Sequence, residues 1–156
     1  MGARARKRLP DEMTDSPRWV RFALRPRKNG KLAKVPIQLN GQNASSTNPD
    51  TWATYAEVKV STVGDGLGWV LGDGIGCLDL DQCLVDGVLV GWAREVVEEH
   101  KEAALLIEVS PSGSGVHIFL PMEPGKGFVI RDGRNIEVYP PDSGRYICVT
   151  GNRLQM

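Results

Sequence analysis

Two carboxylates separated by one residue are the first feature of this sequence that could do chemistry. Asp79 and Asp81 follow an apolar stretch in which Leu78 and Leu80 alternate with them. Because successive side chains of a β-strand point to opposite faces, a strand here would place both carboxylates on one face. Crowded carboxylates on an apolar strand need a positive partner, and oxygen ligands of this kind suit Mg²⁺ or Mn²⁺. The alternative is a strand end at which two solvated aspartates lead into a turn.

A loop of small residues that ends in a histidine is the second feature. Its serines are Ser110, Ser112 and Ser114, and His117 follows at the start of the next predicted strand. Such a loop presents backbone N–H groups and hydroxyls with little steric bulk, so it is a candidate phosphate site. The histidine could donate a hydrogen bond to the same phosphate. The alternative is an ordinary hairpin turn followed by a satisfied core histidine.

A lone carboxylate in a later apolar strand is the third feature. Glu137 could complete a three-carboxylate metal site with Asp79 and Asp81. It could equally be an edge-strand glutamate that pairs with Arg134 or Arg145. Arg145, at the start of the following strand, could neutralise Glu137 or contact a phosphate, because the forked guanidinium group binds phosphate well.

Basic residues are concentrated near the beginning of a chain whose net charge is zero. Residues 1–34 contain 11 of the 19 Lys and Arg residues and three acids, whereas residues 35–156 have a net charge of −8. Strands at 18–24 and 31–39, joined by a turn at Asn29-Gly30, are predicted to form a hairpin. This hairpin is a candidate surface for nucleic-acid phosphates, and the alternative is a solubilising edge hairpin. Its candidate contact residues are Arg25, Arg27, Lys28, Lys31 and Lys34.

The elements that must position these residues are short strands and two helices. The sequence predicts an α+β domain around a mostly antiparallel sheet with flanking helices. Residues 67–71 are predicted to form a hairpin with the strand of Asp79 through the turn Gly72-Asp73-Gly74. The other predicted elements are strands at 105–109, 116–120, 136–139 and 146–150, and helices at 52–60, capped by Thr51, and at 90–103.

Length and composition narrow the class of protein. The chain of 156 residues fits one domain with a core, predicted at residues 17–156 after a mobile basic arm at residues 1–16. No apolar run reaches the roughly 18 residues of a membrane span, and no signal peptide is predicted. The three cysteines form no CxxC pair and are predicted to be reduced thiols in a cytoplasmic protein, with no zinc site. The glycines fit neither a dinucleotide-binding fingerprint nor a P-loop.

Taken together, the motifs resemble those of the archaeo-eukaryotic primase superfamily, in particular the bifunctional primase-polymerase (prim-pol) N-terminal domains of phage and plasmid replication proteins. That family has a DxD strand, a small-x-His element and a strand acidic residue. Here they correspond to Asp79-Leu80-Asp81, Gly115-Val116-His117 and Ile136-Glu137. The resemblance covers roughly residues 18–151. The third acid is Glu where many members have Asp, and related proteins usually continue into a helical region and often a helicase.

The resemblance implies a primase-polymerase catalytic domain with an RRM-like core, in the cytoplasm of a bacterial host and encoded by a phage or plasmid. Its activity would be template-directed nucleotidyl transfer for primer synthesis and extension, with two Mg²⁺ or Mn²⁺ ions. The partners implied are single-stranded DNA, (d)NTPs and a helicase domain or protein, and no membrane. The implied metal ligands are Asp79, Asp81 and Glu137, with His117 also catalytic, and the implied nucleotide-phosphate contacts are Ser110, Ser112, Ser114, His117 and Arg145.

Two other classes of function stay open from the sequence. A metal-dependent nuclease or nicking initiator would need a nucleophilic tyrosine or a histidine pair near the metal. Tyr139 is the tyrosine beside the motifs, and His117 has no histidine neighbour in sequence. A non-catalytic nucleic-acid-binding module would not need its three acids to face one cleft.

Overall fold

The computed structural model describes residues 8–156, so the part of the predicted arm at residues 1–7 lies outside the described residues. The described helices are α1 (Asp11–Thr14), α2 (Tyr55–Val60) and α3 (Gly91–His100), with a 3₁₀ turn at Pro49–Thr51. The described strands are β1 (Trp19–Pro26), β2 (Leu32–Ile37), β3 (Gly66–Val70), β4 (Ile75–Leu80), β5 (Leu84–Val85), β6 (Val88–Leu89), β7 (Leu106–Val109), β8 (Val116–Pro121), β9 (Phe128–Ile130), β10 (Ile136–Tyr139) and β11 (Tyr146–Val149).

These elements form two compact units. The four-stranded unit contains Asp11–Val70 and Gly144–Val149, and its sheet has the order β11-β3-β1-β2. The five-stranded unit contains Leu71–Ser143 and Thr150–Met156, and its sheet has the order β7-β8-β4-β10-β9. Every pairing in both sheets is antiparallel. The predicted α+β class with mostly antiparallel sheets is therefore confirmed, whereas the single domain at residues 17–156 stays a prediction.

The four-stranded unit is built around two buried tryptophans. Trp19 on β1 and Trp69 on β3 are directly opposite in the ladder, and both are fully buried. The indole N–H of Trp19 donates to the carbonyl of Met13, which is also fully buried. Residues 11–14, which the sequence analysis assigned to a mobile arm, thus form a helix that packs on this core.

The start of α2 differs from the predicted helix at 52–60. Thr54 is the cap, because its hydroxyl accepts the N–H of Glu57 while the Glu57 carboxylate accepts the N–H of Thr54. This reciprocal capping box fixes the first turn at Tyr55. The prediction that Thr51 caps this helix is wrong, because its hydroxyl donates instead to the carbonyls of Ser45 and Asn48.

In the five-stranded unit, one face of the sheet packs against α3. Leu78 on β4 and Ile118 on β8 are buried there with Val96 and Val97 of α3, as the apolar pattern of that helix predicted. Alternation along each strand sends the intervening side chains to the opposite face. Asp79 lies on that opposite face, so the sheet separates its carboxylate from the apolar core.

The predicted hairpin between residues 67–71 and the strand of Asp79 is wrong. Strand β3 pairs with β1 and β11, whereas β4 pairs with β8 and β10 in the other sheet. The turn at Gly72 is real, since Ile75 N–H donates to its carbonyl at 3.0 Å, but it passes the chain from one sheet to the next. Both edges of β4 are occupied by strands distant in sequence, and a local turn signal cannot reveal them.

Candidate metal centre

One row of ionisable side chains crosses the five-stranded sheet. In the strand registers, Glu108 on β7 is opposite His117 on β8, His117 is opposite Asp79 on β4, and Asp79 is opposite Glu137 on β10. Side chains directly opposite in an antiparallel pair lie on the same face and in contact range. Four neighbouring strands therefore bring Glu108, His117, Asp79 and Glu137 into one line, which we call the cross-strand row.

Asp81 joins the row just beyond the end of β4. Its backbone N–H donates to the carbonyl of Asn135 at 2.9 Å, which holds the chain next to β10. Asp79, Asp81 and Glu137 each offer a carboxylate oxygen, and these oxygens lie within 4.8 Å of one another. All three residues are half-buried. The three acids singled out in the sequence are thus together on one surface, which we call the acid cluster.

Crowding and partial burial disfavour the ionised form of one member of the acid cluster. The pKa of Asp81 is raised from 3.8 to about 6, mainly by burial, then by the charge of Asp79 and by Glu137, while Arg131 opposes the shift. A divalent cation between the carboxylates would remove this repulsion. Because the donors are all carboxylate oxygens, they fit Mg²⁺ or Mn²⁺ better than a metal that prefers sulfur or nitrogen ligands.

Glu137 has a hydrogen-bond partner that the sequence analysis did not assign to it. The hydroxyl of Tyr139, two residues further along the same face of β10, donates to Glu137 Oε2 at 2.5 Å. Arg134, one of the two arginines considered as partners, instead forms paired hydrogen bonds to Asp132 at 2.9 and 2.7 Å. The other candidate, Arg145, is an exposed residue of the four-stranded unit.

His117 is buried and held from one side by Glu108. Its Nδ1 lies 2.9 Å from Glu108 Oε2, and its Nε2 lies 3.8 Å from Asp79 Oδ1. The ring also makes an edge contact with Phe119, with centroids 6.0 Å apart. Glu108 is the functional candidate that sequence reasoning missed. The sequence pattern places Glu108 in an alternating strand, but its pairing with His117 depends on the register between β7 and β8.

The small-residue loop between β7 and β8 is a closed turn. The hydroxyls of Ser110, Ser112 and Ser114 form a chain with 3.0 Å between successive oxygens. The hydroxyl of Ser110 also accepts the N–H of Gly115 at 3.2 Å. Gly113 has a φ of 81°, a conformation in which a side chain would be strained. The predicted turn is present, and the phosphate-binding role of its serines stays a prediction.

The basic hairpin predicted in the sequence is formed by β1 and β2 of the four-stranded unit. Two arginines at its base have structural contacts: Arg18 donates to the carbonyl of Val70 at 2.8 Å, and Arg21 to that of Val63 at 2.7 Å. The distal half is exposed, including all five candidate DNA contacts, which are Arg25, Arg27, Lys28, Lys31 and Lys34.

Comparison with known proteins identifies the family of this chain. A scan against protein-family models finds no match. A search of curated proteins finds a DNA Primase-polymerase of Nitratiruptor phage NrS-1, 36% identical over 136 residues that cover 80% of this chain. The chain belongs to the primase-polymerase family. It spans 18% of the length of that relative. That Asp79, Asp81, His117 and Glu137 are the motif residues of this family stays a prediction.

No helix among residues 8–156 is both long and apolar enough to cross a membrane. The three cysteines are free and buried, in agreement with the predicted reduced thiols.

Proposed function

We propose that this chain is the nucleotidyl-transfer domain of a DNA primase-polymerase that makes and extends primers on single-stranded DNA during phage or plasmid replication. The observation that carries the proposal is the acid cluster, whose three carboxylate oxygens lie within 4.8 Å of one another. Membership of the primase-polymerase family supports a catalytic role for these acids. A binding module without catalysis would have no need to crowd them.

The acid cluster would hold two Mg²⁺ or Mn²⁺ ions through Asp79, Asp81 and Glu137. Ions in such a site activate the attacking 3′-hydroxyl and stabilise the charge on the triphosphate and the leaving pyrophosphate. Asp79 and Glu137 are directly opposite on paired strands, so a rigid sheet sets their separation. Rigid elements hold a catalytic geometry more closely than loops do.

Residues beside the acid cluster would bind the incoming (d)NTP. His117 is the candidate with the strongest support, because its Nε2 lies 3.8 Å from Asp79 Oδ1. Ser110, Ser112 and Ser114 would exchange their mutual hydrogen bonds for bonds to phosphate oxygens. Apart from these residues, Arg145 is an exposed cation of the four-stranded unit, and its role as a phosphate contact is proposed from the family resemblance and the chemistry of its guanidinium group alone.

The exposed half of the β1–β2 hairpin would hold the template strand. Residues 24–34 carry five cations and no acid, which favours a polyanionic partner. Contacts of this kind go to phosphates, so they would be independent of sequence and weakened by salt. A helicase domain or protein as a further partner is proposed from the family resemblance alone.

A metal-dependent nicking initiator is the alternative with an observation in its favour. Tyr139 places its hydroxyl 2.5 Å from Glu137 Oε2, near enough to the acid cluster to be considered as a nucleophile. The same contact is also that of a group that orients a carboxylate. A nicking enzyme would leave Tyr139 covalently joined to DNA, which mass spectrometry detects.

The deciding experiment is a primer assay with the whole chain. The protein is incubated with primed or unprimed single-stranded DNA, labelled nucleotides and Mg²⁺ or Mn²⁺, beside the double variant Asp79→Asn/Asp81→Asn. We expect the variant to lose at least about 100-fold in product, because no ion remains to activate the hydroxyl.

Asp86→Asn is the matched control, since Asp86 is an exposed aspartate in a turn with a φ of 52°, which asparagine also adopts. It should retain the wild-type rate. Equal product from the wild type and the double variant would reject the proposal. Cleaved DNA attached to Tyr139, with no extension, would favour the nicking initiator.

A further inference from the structure

Glu108 is a buried carboxylate that has no assigned role in the proposed reaction. Its side chain has no exposed surface, and His117 beside it is 4% exposed. Removing an ionised carboxylate from water costs several kcal/mol unless hydrogen bonds compensate. An apolar residue at this position in β7 would avoid that cost. A carboxylate at this buried position therefore needs hydrogen-bond partners, and one of them is the histidine beside the acid cluster.

The contacts of Glu108 define what it does. Oε1 accepts the backbone N–H of Gly151 at 2.9 Å, and the N–H of Thr150 lies 3.2 and 3.1 Å from the two oxygens. Nδ1 of His117 is 2.9 Å from Oε2. Backbone N–H groups can only donate, so the carboxylate is the acceptor in those bonds. The remaining bond is completed when Nδ1 carries a proton.

This bond sets both the orientation of the His117 ring and its tautomer. A ring with its only proton on Nε2 would turn a lone pair of Nδ1 toward the carboxylate, which is unfavourable. Phe119, fully buried at a centroid distance of 6.0 Å, limits rotation of the ring. Nε2 is consequently directed toward the acid cluster, 3.8 Å from Asp79 Oδ1.

We propose that Glu108 is a positioning residue, which fixes the Nδ1–H form of His117 and presents Nε2 to a phosphate of the nucleotide. The identity of that ligand rests on the proposed function, whereas the control of the ring does not. Carboxylates that orient an active-site histidine in this way are a general device.

A purely structural role is the competing explanation. Glu108 also accepts the N–H groups of Thr150 and Gly151, so it fixes the turn after β11. Loss of the carboxylate would loosen that turn whatever His117 does. The test must therefore report on the imidazole itself.

Nitrogen-15 NMR of the histidine rings in the whole chain provides such a test. The sequence contains two histidines, so a His100→Gln variant assigns both sets of ring signals. His100 is an internal reference, because its Nδ1 is 2.8 Å from the carbonyl of Val96, which can only accept. We expect wild-type His117 to show a protonated Nδ1. A neutral ring protonated only on Nε2 would overturn the proposal without any variant.

Glu108→Gln then separates the two explanations. The amide keeps the volume of the side chain but removes its charge. We expect the ring signals of His117 to shift while those of His100 stay unchanged. Unchanged His117 signals in a folded variant would mean that Glu108 serves only the turn. If the variant does not fold, the wild-type tautomer alone decides the question.

A kinetic measurement links the ring to the ligand. In the primer-extension assay, Glu108→Gln should raise KM for the nucleotide about tenfold, the usual scale when an orienting partner is removed, with unchanged affinity for DNA. Glu95→Gln, at an exposed position of α3, is the control and should leave both values unchanged. An unchanged nucleotide KM would overturn the proposal. If the wild type makes no product, the proposed function fails, and the NMR result still tests the positioning of His117.

Discussion

Glu137 has a longer side chain than the aspartate that the family resemblance leads us to expect at the third acid, and the structure shows how this side chain is held. An extra methylene gives the side chain one more rotatable bond, so the position of the carboxylate in a metal site would be less well defined. The hydroxyl of Tyr139 restricts this freedom, because it donates a hydrogen bond to Glu137 Oε2 at 2.5 Å. The hydrogen bond fixes one oxygen of Glu137.

Removal of that hydroxyl should weaken metal binding. We expect Tyr139→Phe to raise the Kd for Mn²⁺ about tenfold, as is typical when the hydrogen-bond partner of a metal ligand is removed. Isothermal titration calorimetry or electron paramagnetic resonance measures the binding directly. Tyr55→Phe, at a half-buried tyrosine of α2, is the matched control. Equal Kd values for Tyr139→Phe and the wild type would show that the hydroxyl does not position Glu137.

Single residues also show where sequence reasoning succeeds and fails. The proximity of Asp79, Asp81 and Glu137 could be predicted, because they lie in or directly after alternating apolar strands and their order resembles the motifs of a known family. Glu108 lies in an equally clear strand, yet its importance comes from the residue opposite to it. Cross-strand neighbours are fixed by register between strands, which a single sequence does not contain.

At the scale of elements, strands and turns were predicted well where the signal is local. The hairpin of β1 and β2 follows from its Asn29-Gly30 turn, and α3 from its apolar stripe. The pairing of β3 with β4 was wrong, because the partners of both strands come from distant parts of the chain. The short edge strand β9 was missed, since its three residues are too few to show a period.

The exposed half of the β1–β2 hairpin makes a prediction at this scale. Arg27→Gln/Lys28→Gln should weaken binding to single-stranded DNA and lower its salt dependence. The slope of log K against log salt should fall by about 0.7 for each phosphate that the variant no longer neutralises. Fluorescence anisotropy over a range of salt concentrations measures this slope.

Arg94→Gln/Lys126→Gln is the matched control, because it also removes one exposed arginine and one exposed lysine. Both of these residues belong to the five-stranded unit. If this control weakens binding as much as the hairpin variant, the effect reflects net charge, and the hairpin has no special role.

At the scale of the whole molecule, the uneven charge of the sequence is divided between two compact units. The exposed cations of the β1–β2 hairpin belong to the four-stranded unit, and the acid cluster belongs to the five-stranded unit. Composition alone predicted a segment for a polyanion and a body that gathers cations. It could not reveal that the chain forms two units, because residues 144–149 return to the four-stranded sheet.

The repulsion within the acid cluster should be measurable in the free energy of unfolding. The raised pKa of Asp81 means that its ionised form is less favourable in the folded protein than in the unfolded chain. Without metal at neutral pH, Asp81→Asn should therefore stabilise the protein by about 1 kcal/mol after allowance for screening by solvent. Denaturant unfolding of the metal-free proteins measures this difference.

Addition of metal should reverse the order of stability. Mn²⁺ at 100 times its Kd should stabilise the wild type by about 2.7 kcal/mol, and it should have a much smaller effect on Asp81→Asn. The control Asp86→Asn should behave like the wild type in both conditions. A wild type that Mn²⁺ does not stabilise would contradict the assignment of the acid cluster as a metal site.

The cross-strand row has a consequence for how this protein can change over evolution. Each of its four members comes from a different strand, and the strands are aligned by backbone hydrogen bonds. Insertion or deletion of one residue within any of these strands would shift its register with the neighbouring strands by one residue. The member of the row on that strand would then point to the opposite face of the sheet, toward α3. The row should therefore tolerate substitutions around it far better than changes in strand length. Variation in length is expected in the connecting loops, which can grow without disturbing the alignment.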